Sequence, residues 1–226
     1  VSMLREAADQ GHMRAQGYCG NLYGFGQGVA HDDRLAFLYF EKAAQQGEAA
    51  CQSNLGACYV QGRGCEQSYE RAAEWLKRAA SAGYMHAQAM LAQLHEFGDG
   101  VAKDYLEARR LYTLASAQGL ARATQNLNRL EETIRTECPL LGKRVKITGT
   151  SRGDLNGRVG VARSFDEAKG RYVVELDREG DGEASKEHLE IKPGNLVIAH
   201  DHDSNAVRKK ENKGGKRKGK RKGKGK

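Results

Sequence analysis

The chain of 226 residues carries 37 Lys plus Arg against 29 Asp plus Glu, a formal net charge of +8, with 39% hydrophobic residues and a mean hydropathy of −0.72. That apolar content suffices for one or two modest cores and excludes wholesale disorder and a collagen-like chain. No run approaches the roughly 18 consecutive apolar residues of a membrane-spanning helix, which excludes a helical membrane protein.

The charge is uneven along the chain. Positions 207–226 hold twelve basic residues and one Glu, net +11, whereas positions 1–206 hold 25 basic and 28 acidic residues. Residue 1 is Val, so the true N-terminus is expected to lie upstream, and no charged, then apolar, then small-residue signal segment is seen near it. Five Cys without a regular paired spacing do not form a secreted disulfide framework and point to a reducing compartment.

From the first residues a period of 36 runs through the chain. Gly11, Gly47, Gly83 and Gly119 mark it, as do Ala36, Ala72 and Ala108, then Ala43, Ala79 and Ala115. The paired glycines Gly26 and Gly28, Gly62 and Gly64, Gly98 and Gly100 keep the same register. Each unit reads as a helix, a glycine loop and a second helix. The first helix follows Gly11, Gly47 or Gly83 and places apolar residues such as Ala87, Leu91 and Leu94 on one face. The second starts at Asp32, Ser68 or Asp104, residue types whose side-chain oxygen caps free amides. Glu107, three residues after Asp104, makes a capping-box pattern. Bulky residues on the second helices (Phe40, Leu76, Tyr112) precede the recurring alanines, so large beside small lets helices approach closely. One hairpin cannot bury its own apolar faces, and stacked neighbours must share a core.

These residues resemble the Sel-one-like repeat family, a relative of the tetratricopeptide repeats. The stretch AQAMLAQLHEFGDGVAKDYLEARRLYTLASAQG, Ala87 to Gly119, carries the likeness, with weaker copies beginning at Ala15 and Cys51. Three units are complete within 1–137. Leu4 to Gln10 reads as the end of an earlier unit and Leu120 to Thr136 as a terminal first helix acting as a polar cap. The resemblance implies a right-handed solenoid of helical hairpins, protein interaction rather than catalysis, and first helices lining a concave surface.

Positions that agree between units are packing, and positions that differ mark a surface stripe. That stripe is Arg14, Tyr18 and Asn21, then Ala50, Asn54 and Ala57, then His86, Met90 and Gln93, then Arg122, Asn126 and Arg129. It is expected to hold a partner peptide, with Tyr18 and Met90 as apolar anchors and Arg14, Arg122 and Arg129 pairing with acidic side chains. An ordinary solvated face is the alternative.

Cys51, Cys58 and Cys65 are spaced by seven, which invites a metal reading. The period argues instead for core packing, because Cys19, Cys51, Cys58 and Cys65 replace small or apolar residues of the other units. No nucleophile with its base, phosphate-binding glycine loop or paired carboxylates is legible, so no catalytic residue, metal or cofactor is expected and the chain reads as a non-enzyme without a small-molecule substrate.

After Pro139 the hydrophobic period becomes alternating. Lys143–Thr148, Gly157–Arg163, Arg171–Asp177, Lys186–Lys192 and Leu196–Ile198 read as strands, with Asn156 and Gly157 as a turn. Five short strands over 140–198 suggest a small β-barrel, and the order GKRVKITG, LNGRVG, GRYVVEL, KPGNL resembles small barrels of the Src-homology-three or KOW type. Asp177 to His188 imitates a calcium loop but ends in His rather than Glu and is flanked by strands. His200 to Asp203 is too local for a closed metal site.

Residues 199–226 read as a disordered tail rich in Lys, Arg and Gly. The run Lys216, Arg217, Lys218, Lys220, Arg221, Lys222 suits a nuclear or nucleolar import signal or a salt-dependent polyanion contact; a solubilising tail is the third reading, and cytoplasmic residence the alternative address. The sequence therefore reads as an intracellular adaptor or scaffold with a protein partner on its solenoid, or as a nucleic-acid-associated protein held by its tail.

Overall fold

The computed structural model describes residues 1–177 and 187–199. The chain divides into two compact units, Val1–Glu137 and Cys138–Lys226.

The first unit is helical. Its helices are α1 (Ser2–Asp9), α2 (Met13–Phe25), α3 (Asp33–Gln45), α4 (Ala49–Gln61), α5 (Tyr69–Ser81), α6 (Met85–Phe97), α7 (Tyr105–Ala117) and α8 (Ala121–Glu137). The pairs α2/α3, α4/α5 and α6/α7 are three hairpins in one register. Asp32, Ser68 and Asp104 each accept a hydrogen bond from an amide of the helix they open. Their own backbone N–H groups donate to the carbonyls of Tyr23, Tyr59 and His95 in the preceding helix. That bond is why the capping box does not close at Asp104: its amide is already satisfied, and Glu107 accepts from Arg110 instead.

Small residues set the spacing between helices. A Cβ built on Gly20 would lie 2.5 Å from the Phe40 ring, and one on Gly56 would lie 2.6 Å from Leu76 Cγ. The same positions in the third hairpin are Ala92 and Tyr112, both fully buried. Successive hairpins are joined through the loops. Gly64 and Gly100 have φ of +72° and +65°, and a Cβ on either would strike the first turn of the preceding hairpin's second helix, at Asp33 or Tyr69. Arg63 straps the same junction, its guanidinium donating to Asp33 Oδ1 and to the Gly24 carbonyl.

Buried amides form a second repeated bracket. Gln16, Gln52 and Gln88 each donate from Nε2 to the carbonyl eight residues earlier, of Ala8, Ala44 and Ala80. In two repeats the glutamine that ends the same hairpin's second helix closes the bracket: Gln46 donates to Gln16 Oε1 at 2.8 Å and Gln118 to Gln88 Oε1 at 2.9 Å. The equivalent residue before α6 is Ala82. The last hairpin is covered by α8, which buries Ala123, Leu130 and Ile134 and is otherwise largely polar.

The second unit is one antiparallel sheet of β1 (Arg144–Ile147), β2 (Val159–Asp166), β3 (Arg171–Leu176), β4 (His188–Ile191) and β5 (Leu196–Ile198), in the order β4-β3-β2-β1-β5. Alternation puts Val145, Ile147, Tyr172, Val174 and Leu176 inside with Leu141, Leu155, Ile191 and Leu196. The expected barrel is corrected here: β4 and β5 are the two sheet edges, and no ladder joins them among the described residues. The sheet nevertheless coils. The five residue steps from Ile191 to Leu196 reach at most about 17 Å, less than the roughly 19 Å across a flat five-stranded sheet. A bulge between Ala162 and Ser164 in β2 supplies bending. The edge strands are four and three residues long and joined by one 3-10 turn at Pro193–Asn195, too little chain to add a fifth pairing. Asn156 and Gly157 do not make a two-residue hairpin; they close a longer excursion between β1 and β2, where Asn156 both accepts from and donates to the Thr150 backbone.

Two substitutions test these joints in urea melts followed by the helical circular dichroism signal. Ala82 has φ −76° and ψ 2°, close to Gln46 at −79° and −2°, so Ala82→Gln completes the missing amide bracket on Gln52 and stabilises by about 1 kcal/mol. Gly64→Ala destabilises by about 3 kcal/mol, from left-handed strain plus the clash with α3; a neutral result would disprove the close inter-hairpin approach.

Candidate functional site

The surface stripe lies along α2, α4, α6 and α8. Tyr18 is 62% exposed, and Arg14, His86, Gln93 and Arg122 are exposed too. Asn21, Asn54, Met90 and Asn126 are half-buried. Met90 is thus less of a protruding anchor than Tyr18.

Across α2 and α4 the stripe residues come together. Arg14, Tyr18, Asn21, Glu48, Ala50 and Asn54 line a groove of about 290 Å³, floored by Gly17 and Cys51. Gly17 makes this floor possible, since a Cβ there would lie 2.9 Å from Cys51 Sγ. Asn54 donates to Asn21 Oδ1 across the helix pair at 3.4 Å. Glu48 also caps α4, its carboxylate accepting from the Cys51 backbone N–H. A smaller hollow of about 90 Å³ continues along the same helices past Phe25, Ala57, Gln61 and Arg63.

Phe25 and Phe97 extend the stripe by one further turn and are absent from the residues singled out by sequence. They are 68% and 52% exposed. The signal was available: adding one turn to the spacing of i, i+4 and i+7 reaches i+11, which is Phe25, Gln61, Phe97 and Thr133. As large apolar residues at helix ends next to the loop glycines, they read as core from sequence.

Arg129 has a partner within the solenoid. Its guanidinium donates to both oxygens of Glu96 at 2.9 and 3.0 Å, and Glu96 also accepts from the Tyr112 hydroxyl at 2.9 Å. Glu96 is only 6% exposed, so this internal carboxylate needs the Arg129 charge. The guanidinium also lies 5.7 Å from the Phe97 ring centre. Asn126 bonds the Tyr112 side chain from the same helix. Arg129 therefore docks α8, while its side chain stays 56% exposed.

The thiols are packing groups. Cys19, Cys51 and Cys58 are buried, Cys65 half-buried, and all are free. Burial pushes the Cys58 thiol up to about 11 and raises Cys51 further, with Glu48 adding to the effect, so both are uncharged thiols near neutral pH. Tyr39, buried and donating to Asp9 Oδ1 at 3.1 Å, is likewise pushed up to about 12. Among the described residues no group of three or more His, Cys, Asp or Glu is placed to hold a metal, and no helix is long and apolar enough to cross a membrane.

The sheet unit has a cleft of about 400 Å³ beside β4, with Leu155, Leu189 and Ile191 as its apolar part and Arg152, Arg171, Lys192 and Glu190 as its charged part. Positions 178–186 of the calcium-loop look-alike, the His200 to Asp203 cluster and the tail residues Lys216, Arg217, Lys218, Lys220, Arg221 and Lys222 lie outside the described residues.

Comparison with known proteins meets the same repeat boundaries. The family model described as Sel1 repeat matches residues 14–48, 49–84 and 86–120, each of them one hairpin. The crystal structure of a Sel1 repeat protein from Oxalobacter formigenes is 36% identical, the match covering 57% of this chain and 96% of that chain with a TM-score of 0.51. A protective antigen of uropathogenic Escherichia coli, described as displaying an SLR fold, is 33% identical over 56% of this chain with a TM-score of 0.54; the match spans 27% of that protein's length. No curated protein matches the chain. With three hairpins in one 36-residue register and a relative matched over nearly its whole length, the chain belongs to the Sel1 repeat family.

Proposed function

We propose that this protein is a non-enzymatic adaptor that binds a protein partner along the first-helix face of its solenoid. Sel1 repeat proteins are generally protein-interaction scaffolds, and the chemistry of this face fits that role. The observation that carries the reading is the open groove across α2 and α4, where Tyr18 and Phe25 stand 62% and 68% exposed beside the amides of Asn21 and Asn54. Aromatic side chains held on rigid helices, beside amides able to bond a peptide backbone, are the side chains that dominate protein interfaces. A solvated face gains nothing from two exposed aromatic rings on one helix.

The sheet unit is a second module, and its cleft of mixed apolar and charged side chains supports a role in contacting a chain segment. A second reading concerns positions 207–226, whose net charge of +11 supports an import address or a contact to a polyanion.

Affinity capture with the full chain tests the adaptor reading. Tyr18→Ala with Phe25→Ala lowers recovery of the captured partner by about tenfold at unchanged stability; equal recovery removes this face as the binding surface. Arg129→Ala acts differently: it strands the Glu96 carboxylate and lowers stability by about 2 kcal/mol in the same urea melt. For the tail, RNA titrations at two salt concentrations compare the full chain with residues 1–206. Affinity that falls with salt and disappears on truncation is expected, and equal binding by both chains refutes it.

A further inference from the structure

On the binding face, α2 and α6 share an order of side chains that α4 between them lacks. At the first stripe position α2 carries Arg14 and α6, 72 residues later, carries His86, while α4 between them carries Ala50. At the second the pair is Tyr18 and Met90, with Asn54 between. At the third it is Asn21 and Gln93, with Ala57 between, and at the fourth Phe25 and Phe97, with Gln61 between. Helices α2 and α6 thus present one order of chemistry: a base, a large apolar group, an amide and a phenylalanine. Core packing does not produce this pattern, because the core of these hairpins repeats at 36 and three of the four large side chains, Tyr18, Phe25 and Phe97, are more than half exposed.

Basic side chains outnumber acidic ones on this face. Arg14, His86 and Arg122 are each the second residue of their helix, where the exposed amides add positive potential. One carboxylate, Glu48, also lines the groove, with one of its oxygens accepting from the Cys51 backbone N–H. The Phe97 ring is backed by the Arg129 guanidinium, which is pinned by Glu96, so the second apolar platform is held in place.

We infer that α2 and α6 are two equivalent anchor sites for a single extended acidic peptide that crosses the helices, with α4 as the spacer. This rests on the adaptor reading and adds the register and charge of its ligand. The first helices of neighbouring hairpins are packed against each other, as the Asn54 to Asn21 bond and the Gly17 floor against Cys51 show. Packed helix axes lie about 10 Å apart, which places α2 and α6 about 20 Å apart. An extended peptide rises about 3.3 Å per residue, so its two apolar anchors stand about six residues apart. Carboxylates on the peptide face the cationic end of the helices, and the Asn54 amide level with the anchors meets the peptide backbone midway.

The probe is a displayed library of random twelve-residue peptides, selected on the full-length protein. A selected peptide is then synthesised and titrated by fluorescence anisotropy. Selection is expected to return two apolar residues separated by about six positions, accompanied by Asp or Glu. Tyr18→Ala with Phe25→Ala, and separately Met90→Ala with Phe97→Ala, each weaken the peptide by about tenfold, and two residues inserted between the anchors weaken it similarly. Thermal melts of both variants confirm that the solenoid is folded. A peptide indifferent to either helix, or to the inserted residues, overturns the two-site register while leaving peptide binding intact. A selection that returns no binder overturns the adaptor reading as well.

Discussion

The solenoid depends on how closely its helices can approach. Phe40 sits where Gly20 has no side chain and Leu76 where Gly56 has none, while Gly64 and Gly100 admit the first turn of the preceding hairpin's second helix. These contacts let each hairpin bury an apolar face that it could not bury alone. They also decide what is left outside. Once the glycines and alanines are turned inward, the stripe from Arg14 to Phe25 and its copies on α4, α6 and α8 face away from the hairpin cores.

Polar groups then remove the remaining freedom. A helical hairpin held only by apolar contacts can slide by a turn at small cost, whereas a buried amide that loses its acceptor cannot. Gln16, Gln52 and Gln88 bind carbonyls of the preceding helix, and the amides of Asp32, Ser68 and Asp104 bind carbonyls of the helix before the loop. The same logic closes the array at its far end, where Arg129 and Tyr112 meet Glu96 and α8 is docked by a charge. With register secured inside, the exposed face is free to carry chemistry that differs from one hairpin to the next.

Much of this fold was legible in the residues. The helices, the loop glycines and the Asp32, Ser68 and Asp104 caps follow local rules and emerge from the period alone. Burial of Cys19, Cys51 and Cys58 follows from their register too. The candidate site was legible in part. Arg14, Tyr18, Asn21 and Asn54 were found because divergence between repeats marks surface, whereas Phe25 and Phe97 escaped because a phenylalanine near a helix end usually packs inward. Gln16, Gln52 and Gln88 carried a recurring signal, but an amide reads as solvent-facing unless its buried acceptor is known.

What the sequence by itself determined was therefore the set of elements and their stacking order, since helix periodicity, caps and turns act over fewer than about ten residues. Only the tertiary structure decided that Arg129 pairs with Glu96, that the amides of Gln46 and Gln118 close brackets 30 residues away, and that five strands coil without closing. Each of these turns on a partner distant in the chain. Charge, burial and edge pairing belong to such pairs of residues, and a linear pattern specifies only one member at a time.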